Sequence, residues 1–170
     1  MTQLKIVTYP DKSLKEPTKS VKNINGKLME AVGNMGETMY LAPGIGLAAI
    51  QVGIDQSFLV YDVSPTDEKR HLNLLINPRI VEKEGEIISE NEGCLSVPDY
   101  RADVKRYASI LVEGYDENEK PVRIEAHELL SIVLQHEIDH LQGTLFIDHI
   151  SALKRQIYKR KIKKQLKRGE

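Results

Sequence analysis

Residues 126–143 read AHELLSIVLQHEIDHLQG, and this stretch decides how the rest of the chain is organised. Apolar residues cover most of its helical circumference, which predicts a buried central helix over residues 126–142. Within that helix, His136 and His140 are four residues apart and therefore lie on one face, one turn apart. Glu137 adjoins the first imidazole, where it can accept a proton from a water molecule beside a metal held by both rings.

The alternative for this pattern is a helix that carries two histidines on its surface. Its neighbours argue against that alternative, because the residues before the motif are strongly apolar: Leu129, Leu130, Ile132, Val133 and Leu134. Buried imidazoles and a buried Glu cost free energy unless they are paired or bound to a metal. The stretch therefore predicts a metal site.

Length and composition limit the class of protein. A chain of 170 residues fits a single domain, predicted over residues 1–170. It has no hydrophobic run of membrane-spanning length, and residues 1–5 lack the apolar stretch of a secretory signal. We therefore expect a cytoplasmic protein with no membrane partner. Cys94 is the only cysteine, which excludes an intrachain disulfide and leaves a core residue, a nucleophile or a metal ligand.

Charge is placed unevenly along the chain. Nine of the 24 Lys and Arg residues lie between Lys154 and Arg168 with no Asp or Glu among them. Ser151 is a suitable N-cap, so we predict a basic C-terminal helix over residues 151–170. An acidic body with a basic tail suggests an anionic partner such as nucleic acid, and the alternative is a solvated basic helix.

The remaining pattern predicts the α+β class, because strands come first and helices late, without β-α-β alternation. The other predicted elements are a helix over residues 27–41 and strands over 57–63, 74–77, 80–88, 107–115 and 121–125. The strand over 74–77 is expected to end at Pro78, and residues 80–88 to form a hairpin or a bulged strand around Gly85. The last two strands form a predicted hairpin.

A catalytic metal normally keeps three protein ligands, so two histidines leave the site incomplete. One protease pattern would place the third histidine where Phe146 stands, and His149 comes three residues too late. Another protease class uses a glutamate on a helix well downstream as the third ligand, but the only glutamate after His140 is Glu170. Upstream, Cys94 lies in the sequence EGCLSVP, which Pro98 is expected to end. A thiolate is a strong ligand for Zn or Fe(II), and the alternative is a buried structural cysteine in a turn.

Three segments together resemble the signature of the peptide deformylase family. They are GIGLAAIQ at 44–51, EGCLS at 92–96 and QHEIDH at 135–140, and they occur in the family's order. By itself the first segment indicates only a turn into a buried strand. The resemblance implies antiparallel β-sheets packed around a central helix that bears the two histidines. It also implies removal of the formyl group from the N-terminal formylmethionine of nascent bacterial polypeptides.

The resemblance also implies the roles of individual residues. Cys94 would be the third metal ligand, and Glu137 the general base and then the general acid. The side-chain amide of Gln51 and the backbone N–H of Leu95 would stabilise the oxyanion. The cofactor would be one divalent metal ion, usually Fe(II), with Zn, Ni or Co able to occupy the site.

Substrate contacts are predicted from family resemblance and from the shared face of the central helix. The predicted residues are Ile45, Gly46, Glu92, Gly93, Arg101, Leu129, Ile132 and Val133. For the residues on the central helix the alternative is ordinary core. Arg101 is expected to position substrate or to pair with Glu92, and the alternative is a solvated Arg. The expected partners are N-formylmethionyl nascent peptides and, through the basic C-terminal helix, the ribosome.

Two other classes of function compete with this interpretation. A zinc endopeptidase would need a different third ligand, and the downstream sequence has none at a suitable spacing. A non-enzymatic binding module would use the basic tail alone. Activity on formyl peptides distinguishes the deformylase from both.

Overall fold

The computed structural model describes residues 2–64 and 69–169, so Met1, residues 65–68 and Glu170 lie outside it. The predicted domain 1–170 therefore includes six positions outside the described residues, and the predicted helix 151–170 includes one, Glu170. Three α-helices are present in the described part: α1 (Gly26–Leu41), α2 (Glu128–Leu141) and α3 (Ala152–Arg168). The strands are β1 (Gly46–Ala48), β2 (Phe58–Tyr61), β3 (Asn73–Glu84), β4 (Ile87–Cys94), β5 (Val97–Arg106), β6 (Ser109–Tyr115) and β7 (Pro121–His127).

The strands form two antiparallel sheets. Five of them make one sheet in the order β1-β2-β3-β6-β7, and β4 pairs with β5 in a separate two-stranded sheet. The predicted α+β class, with antiparallel sheets around a central helix and a helix at the C-terminus, is confirmed. No helix among the described residues is both long and apolar enough to cross a membrane.

Local sequence signals placed several elements correctly. Helix α1 begins after Asn25, whose side chain accepts a hydrogen bond from the Leu28 N–H at 3.1 Å. Helix α3 begins after Ser151, whose hydroxyl accepts from the Lys154 N–H at 3.3 Å. The hairpin of β6 and β7 also forms as predicted, and its two strands pair from Ser109 with His127 to Tyr115 with Pro121.

The predicted start of the central helix is wrong by two residues. Ala126 and His127 still belong to β7, where they pair with Ile110 and Ser109 of β6. Since their backbone groups belong to the sheet, the helix begins only at Glu128, whose φ is 49°. At its other end the helix stops before Gly143, which has a φ of 74° and suits the left-handed position there.

Two prolines were wrongly expected to end a segment, a strand in one case and the Cys94 segment in the other. Strand β3 runs through Pro78 instead of ending there, and its pairing with β6 is irregular between Ile76 and Arg79. An irregularity of that kind lets a strand accept a residue without an N–H. Pro98 likewise does not end its segment, because it is the second residue of β5.

The predicted hairpin or bulged strand around Gly85 is also wrong. Gly85 has a φ of 63° and lies between β3 and β4, which do not pair with each other. Instead, β3 pairs with β6 and β4 pairs with β5. The turn at Gly85 therefore connects the five-stranded sheet to the two-stranded sheet. The local sequence pattern does not show that the two flanking strands belong to different sheets.

Helix α2 is held by its apolar face against the five-stranded sheet. Buried residues of both meet in one cluster that includes Leu59, Leu75, Val112, Ala126, Val133, Leu134, Ile138 and Leu141. Helix α3 has a smaller contact face, formed by Tyr158 and Ile162, which pack with Val97 and Phe146 in a separate cluster. This packing fixes the direction in which α2 presents its histidines.

Candidate metal centre

Three potential metal ligands converge from two elements. Cys94 is the last residue of β4, whereas His136 and His140 lie one turn apart on α2. The Cys94 Sγ lies 3.1 Å from the His140 Nε2, which in turn lies 3.3 Å from the His136 Nε2. One ligand atom from each residue lies within 4.8 Å of the other two, so all three can hold the same ion.

The carboxylate of Glu92 orients the first histidine. Its Oε1 lies 2.7 Å from the His136 Nδ1, an arrangement in which that nitrogen donates and Nε2 faces the other potential ligands. Burial raises the pKa of Glu92, but hydrogen bonds from His136 and Arg106 outweigh this effect and lower it to about 2. Glu92 is therefore an anion, as the partner of a metal-binding imidazole commonly is.

The groups around the two histidines shift their pKa values in opposite directions. Burial lowers the pKa of His136, but Cys94 and then Glu92 raise it well above its ordinary value. Burial, His136 and Arg106 together lower the pKa of His140 well below its ordinary value. His140 therefore keeps a lone pair, and the donor set of one thiol and two imidazoles fits a Zn- or Fe(II)-type cation.

Glu137 lies beside these ligands, where it is almost fully buried. Its Oε2 has no hydrogen-bond partner among the described residues. Burial is the main cause that raises the pKa of Glu137 to about 7. A buried carboxylate with a free oxygen can exchange protons with a molecule that enters the site. Gly46 makes room for it, because a Cβ on that residue would lie 2.5 Å from the Glu137 Oε1.

Gln51 lies next to Cys94, one of the three potential ligands. Its Oε1 accepts a hydrogen bond from the Ala48 N–H at 2.8 Å, which fixes the orientation of the amide. Its Nε2 then lies 3.6 Å from the Cys94 Sγ and donates to the Ser96 hydroxyl at 3.2 Å. An oriented neutral donor beside the ligands can stabilise negative charge that develops on a bound carbonyl oxygen. Leu95, between Cys94 and Ser96, lines the cleft described next.

An open cleft of about 820 Å³ leads to these residues. Every residue predicted to contact substrate lines it, namely Ile45, Gly46, Glu92, Gly93, Arg101, Leu129, Ile132 and Val133. The cleft also includes residues that sequence reasoning missed, among them Ser89, Asn91, Asp99 and Tyr100. No sequence motif predicts these residues, because the pairing of β4 with β5 is what brings them to the cleft.

The partner of Glu92 is Arg106, so a pairing of Glu92 with Arg101 is wrong. The Arg106 Nε and Nη2 donate to Glu92 at 3.3 and 2.5 Å. Arg101 instead donates from Nη1 to the backbone carbonyl of Asn91 at 3.2 Å. Sequence reasoning missed Arg106, and the pattern offers no signal that separates it from the other basic residues of its strand.

Asp139 lies between the ligands in sequence but points to other partners. It accepts a hydrogen bond from the Arg106 Nη1 at 2.7 Å, and its Oδ2 lies 2.8 Å from the His149 Nε2. With these two partners, Asp139 is placed to orient neighbouring side chains and is not one of the three potential ligands. His149, which showed no partner spacing in the sequence, takes part in this network at its exposed end.

A thiol and two imidazoles around one point, with a buried carboxylate beside them at an open cleft, define the class of metal-dependent hydrolases. Comparison with known proteins narrows the class. The sequence profile described as polypeptide deformylase matches residues 3–156. The peptide deformylase of Desulfosudis oleivorans is 51% identical over 169 residues, covering 99% of this chain and 98% of that protein. That of Syntrophobacter fumaroxidans is 52% identical over 167 residues, covering 98% of each.

Solved structures agree with these sequence relatives. The crystal structure of peptide deformylase from Ehrlichia chaffeensis in complex with actinonin superposes with a TM-score of 0.90 at 38% identity. The match covers 97% of this chain and 98% of that one. The chain therefore belongs to the polypeptide deformylase family. It is a metal-dependent hydrolase that removes the N-formyl group from the formylmethionine of newly made polypeptides.

Proposed function

We propose that Cys94, His136 and His140 together hold the one divalent ion on which deformylation depends. The observation that carries this proposal is the convergence of their ligand atoms within 4.8 Å, one from each residue. We propose Fe(II) as the resident ion, with Zn, Ni or Co able to take its place, because a thiolate with two imidazoles suits these metals. When bound, the ion supplies Lewis acidity that lowers the pKa of a water molecule.

Glu137 is the proposed proton carrier of the reaction. It accepts a proton from the water molecule whose oxygen bonds to the formyl carbon. It then delivers that proton to the amide nitrogen as the C–N bond breaks, which releases formate and a free N-terminal amine. Its position next to the first histidine, with one oxygen unpaired among the described residues, supports both steps.

Gln51 and Leu95 are the proposed donors to the oxyanion. As water attacks, negative charge develops on the formyl oxygen, and fixed N–H groups stabilise it more in the transition state than in the ground state. The Gln51 amide is held by the Ala48 N–H, so it needs no reorientation during the reaction. Leu95 would donate from its backbone N–H, two positions before Val97, where β5 begins.

The substrate is proposed to enter the cleft as an extended peptide. Strand β1 is at the edge of the five-stranded sheet, so the backbone around Gly46 can pair with a peptide on its open side. Apolar residues on the cleft face of α2, with Ile45 opposite, would receive the methionine side chain: Leu129, Ile132 and Val133. Glu92, Gly93 and Arg101 would line the path of the following residues.

A formyl-peptide assay tests the role of Glu137. The Glu137→Gln variant keeps the size of the side chain but cannot take a proton, so kcat on a formyl-Met-Ala peptide should fall at least about 100-fold. Its metal content should stay at one ion per chain. The matched control is Glu125→Gln, at an exposed position of β7, which should keep full activity.

Full activity of Glu137→Gln would remove Glu137 from the mechanism. Cleavage of internal peptide bonds with no release of formate would instead favour an endopeptidase. Binding of actinonin, the ligand named in the Ehrlichia structure, gives an independent test of the cleft through protection of the protein against thermal unfolding.

The basic helix α3 is proposed to bring the enzyme to the ribosome in the cytoplasm, where formylated nascent chains occur. Its cations other than the half-buried Arg155 are exposed, whereas Tyr158 and Ile162 pack in the core. A truncation before Tyr158 would remove core residues together with the charges. Single charge changes on the exposed face are therefore the sharper test.

The test replaces Lys161 and Lys164 by Gln and measures binding to purified ribosomes at several salt concentrations. Each lost phosphate contact should weaken binding and reduce the slope of log affinity against log salt by about 1. Activity on short formyl peptides should not change. Lys83→Gln with Lys120→Gln, both outside α3, controls for net charge. Equal ribosome affinity of the α3 variant and the unmodified protein would reject this role.

A further inference from the structure

The two parts of the metal site belong to different layers of the fold. Cys94 ends β4 of the two-stranded sheet, whereas the two histidines lie on α2, which packs against the five-stranded sheet. No strand pairing joins the two sheets among the described residues. The distance between the thiol and the imidazoles therefore depends on whatever holds α2 against the β4–β5 hairpin.

Arg106, the last residue of β5, contacts both parts. Its Nε and Nη2 donate to Glu92 of β4, and its Nη1 donates to Asp139 of α2 at 2.7 Å. The Arg106 side chain is 3% exposed, so its charge is compensated by these two carboxylates and little by water. A planar guanidinium makes such a fork, whereas a lysine ammonium does not.

The contact continues through the next residue. The Tyr107 N–H donates to the Gln135 Oε1 at 3.0 Å, and the Tyr107 carbonyl accepts from the Gln135 Nε2 and the Ser131 hydroxyl, both at 2.9 Å. Ser131, Gln135 and Asp139 are spaced by four residues and so form one edge of α2. We refer to these three residues with Arg106 and Tyr107 as the β5–α2 clamp.

The edge that the clamp holds adjoins the ligand face. Gln135 directly precedes His136, and Asp139 directly precedes His140, so a shift or rotation of this edge moves both imidazoles. Glu92 adds a second connection, because its Oε1 accepts from Arg106 and also from the His136 Nδ1. Arg106 thus fixes the carboxylate that fixes the first ligand.

We propose that Arg106 is a positioning residue that sets the metal affinity by holding the Cys94 hairpin against the histidine helix. It touches no proposed ligand and acts through Glu92 and Asp139. The inference rests on the ligand set proposed above. Outer residues that orient metal ligands typically change metal affinity by about 10- to 100-fold when they are replaced.

Release of Co(II) from the loaded full-length protein to a competing chelator tests the proposal. In Arg106→Lys the positive charge remains and the fork is lost, so the Co(II) dissociation constant should rise about tenfold. The near-ultraviolet absorption of the thiolate–Co(II) bond should weaken as Cys94 moves from its place. Glu92→Gln should raise the constant further. The double variant should exceed Glu92→Gln alone by no more than the effect of losing the Asp139 contact, because both changes break the same connection between Arg106 and Glu92.

A merely structural role predicts a different outcome. Val32→Ala opens a cavity between α1 and the five-stranded sheet, in a cluster that holds no residue of α2 or of the clamp, and should destabilise the protein without changing Co(II) affinity. If Val32→Ala weakens Co(II) binding as much as Arg106→Lys does, the proposal is overturned. An unchanged dissociation constant and unchanged absorption in Arg106→Lys would overturn it as well.

The ligand set is tested separately with Cys94→Ser. If that variant retains the Co(II) affinity and absorption of the unmodified protein, the proposed ligands fail, whatever Arg106 does. Should Arg106→Lys not fold, Asp139→Asn decides the matter, since it weakens the α2 side of the clamp and leaves Glu92 in place. Its Co(II) dissociation constant should rise severalfold, and an unchanged value would refute the clamp.

Discussion

Gly46 shows how far a single residue can restrict the site. A Cβ on Gly46 would lie 2.5 Å from the Glu137 Oε1 and 2.9 Å from its Cδ, closer than real Cβ contacts allow. Because the backbone of β1 is paired with β2, the carboxylate is the group that would have to move. The absence of a side chain at position 46 therefore keeps the proposed base in place.

Gly46→Ala should lower kcat/KM on formyl peptides by about 100-fold, since a displacement of about 1 Å in a catalytic group costs that much. Circular dichroism and metal content should stay unchanged. Gly26→Ala is the matched control, because nothing lies within 4 Å of its added methyl group. Full activity of Gly46→Ala would mean that Glu137 tolerates displacement and does not act from its observed position.

At the scale of elements, Asp62 joins α1 to the end of β2. Its carboxylate accepts from the Tyr40 hydroxyl at 2.6 Å, the Ser64 N–H at 2.9 Å and the His71 N–H at 2.7 Å. Burial raises the pKa of Asp62, but the hydrogen bonds from Ser64 and Tyr40 outweigh that effect and lower it to about 2. The carboxylate therefore stabilises the folded state only while it is ionised.

Asp62→Asn should lower the free energy of unfolding at pH 7 by about 1–3 kcal/mol, the usual effect of leaving buried donors without their partner. A pKa lowered on folding contributes stability that is complete above the ordinary value, near 4, and lost as pH falls through about 2. The difference between the variant and the unmodified protein should narrow over that window in urea unfolding. Glu117→Gln, in an exposed turn, should show no such narrowing, and a constant difference for Asp62→Asn would contradict the assignment.

The boundaries of the helices and strands show what a local sequence pattern can and cannot predict. The start of α1 at Asn25 and that of α3 at Ser151 follow from caps that bond within three residues, so the sequence reveals them. The start of α2 does not, because Ala126 and His127 are held in β7 by residues far away in the chain. The separation of β3 from β4 at Gly85 has the same cause.

At the scale of the whole molecule, the proposed metal joins the small sheet to the central helix. An ion that binds only the folded protein stabilises it by about 2.7 kcal/mol when its free concentration is 100 times the dissociation constant. For a chain of this size that is a rise of about 5–10 °C in the midpoint of thermal unfolding. Removal of the ion by a chelator should reverse the rise.

Scanning calorimetry of the protein with and without Co(II) measures this effect. Cys94→Ser should lose most of the rise, because only two of the three proposed ligands remain. Leu153→Ala, an exposed change on α3, should keep all of it. Equal midpoints for loaded and chelated protein would show that the ion does not link the two parts of the fold.

The sequence by itself determined the α+β class, the helix with two histidines on one face, the candidate Glu137 and the basic last helix. These features depend on residues within about one or two turns of each other, so periodicity and spacing contain them. Motif resemblance added Cys94, Gln51 and the residues of the cleft. Cys94, Gln51 and the residues predicted to contact substrate line the cleft, as do His136 and Glu137. His140 does not line it, but lies with Cys94 and His136 in the group of potential metal ligands.

Only the tertiary structure decided which residues support that site. Arg106 as the partner of Glu92, the β5–α2 clamp and the fit of Glu137 against Gly46 join residues from 14 to 91 positions apart. Such contacts depend on how the strands pair and how α2 packs, and no local signal encodes either. The physical reason is that side-chain type limits what a residue can bind, whereas packing decides which partner it meets.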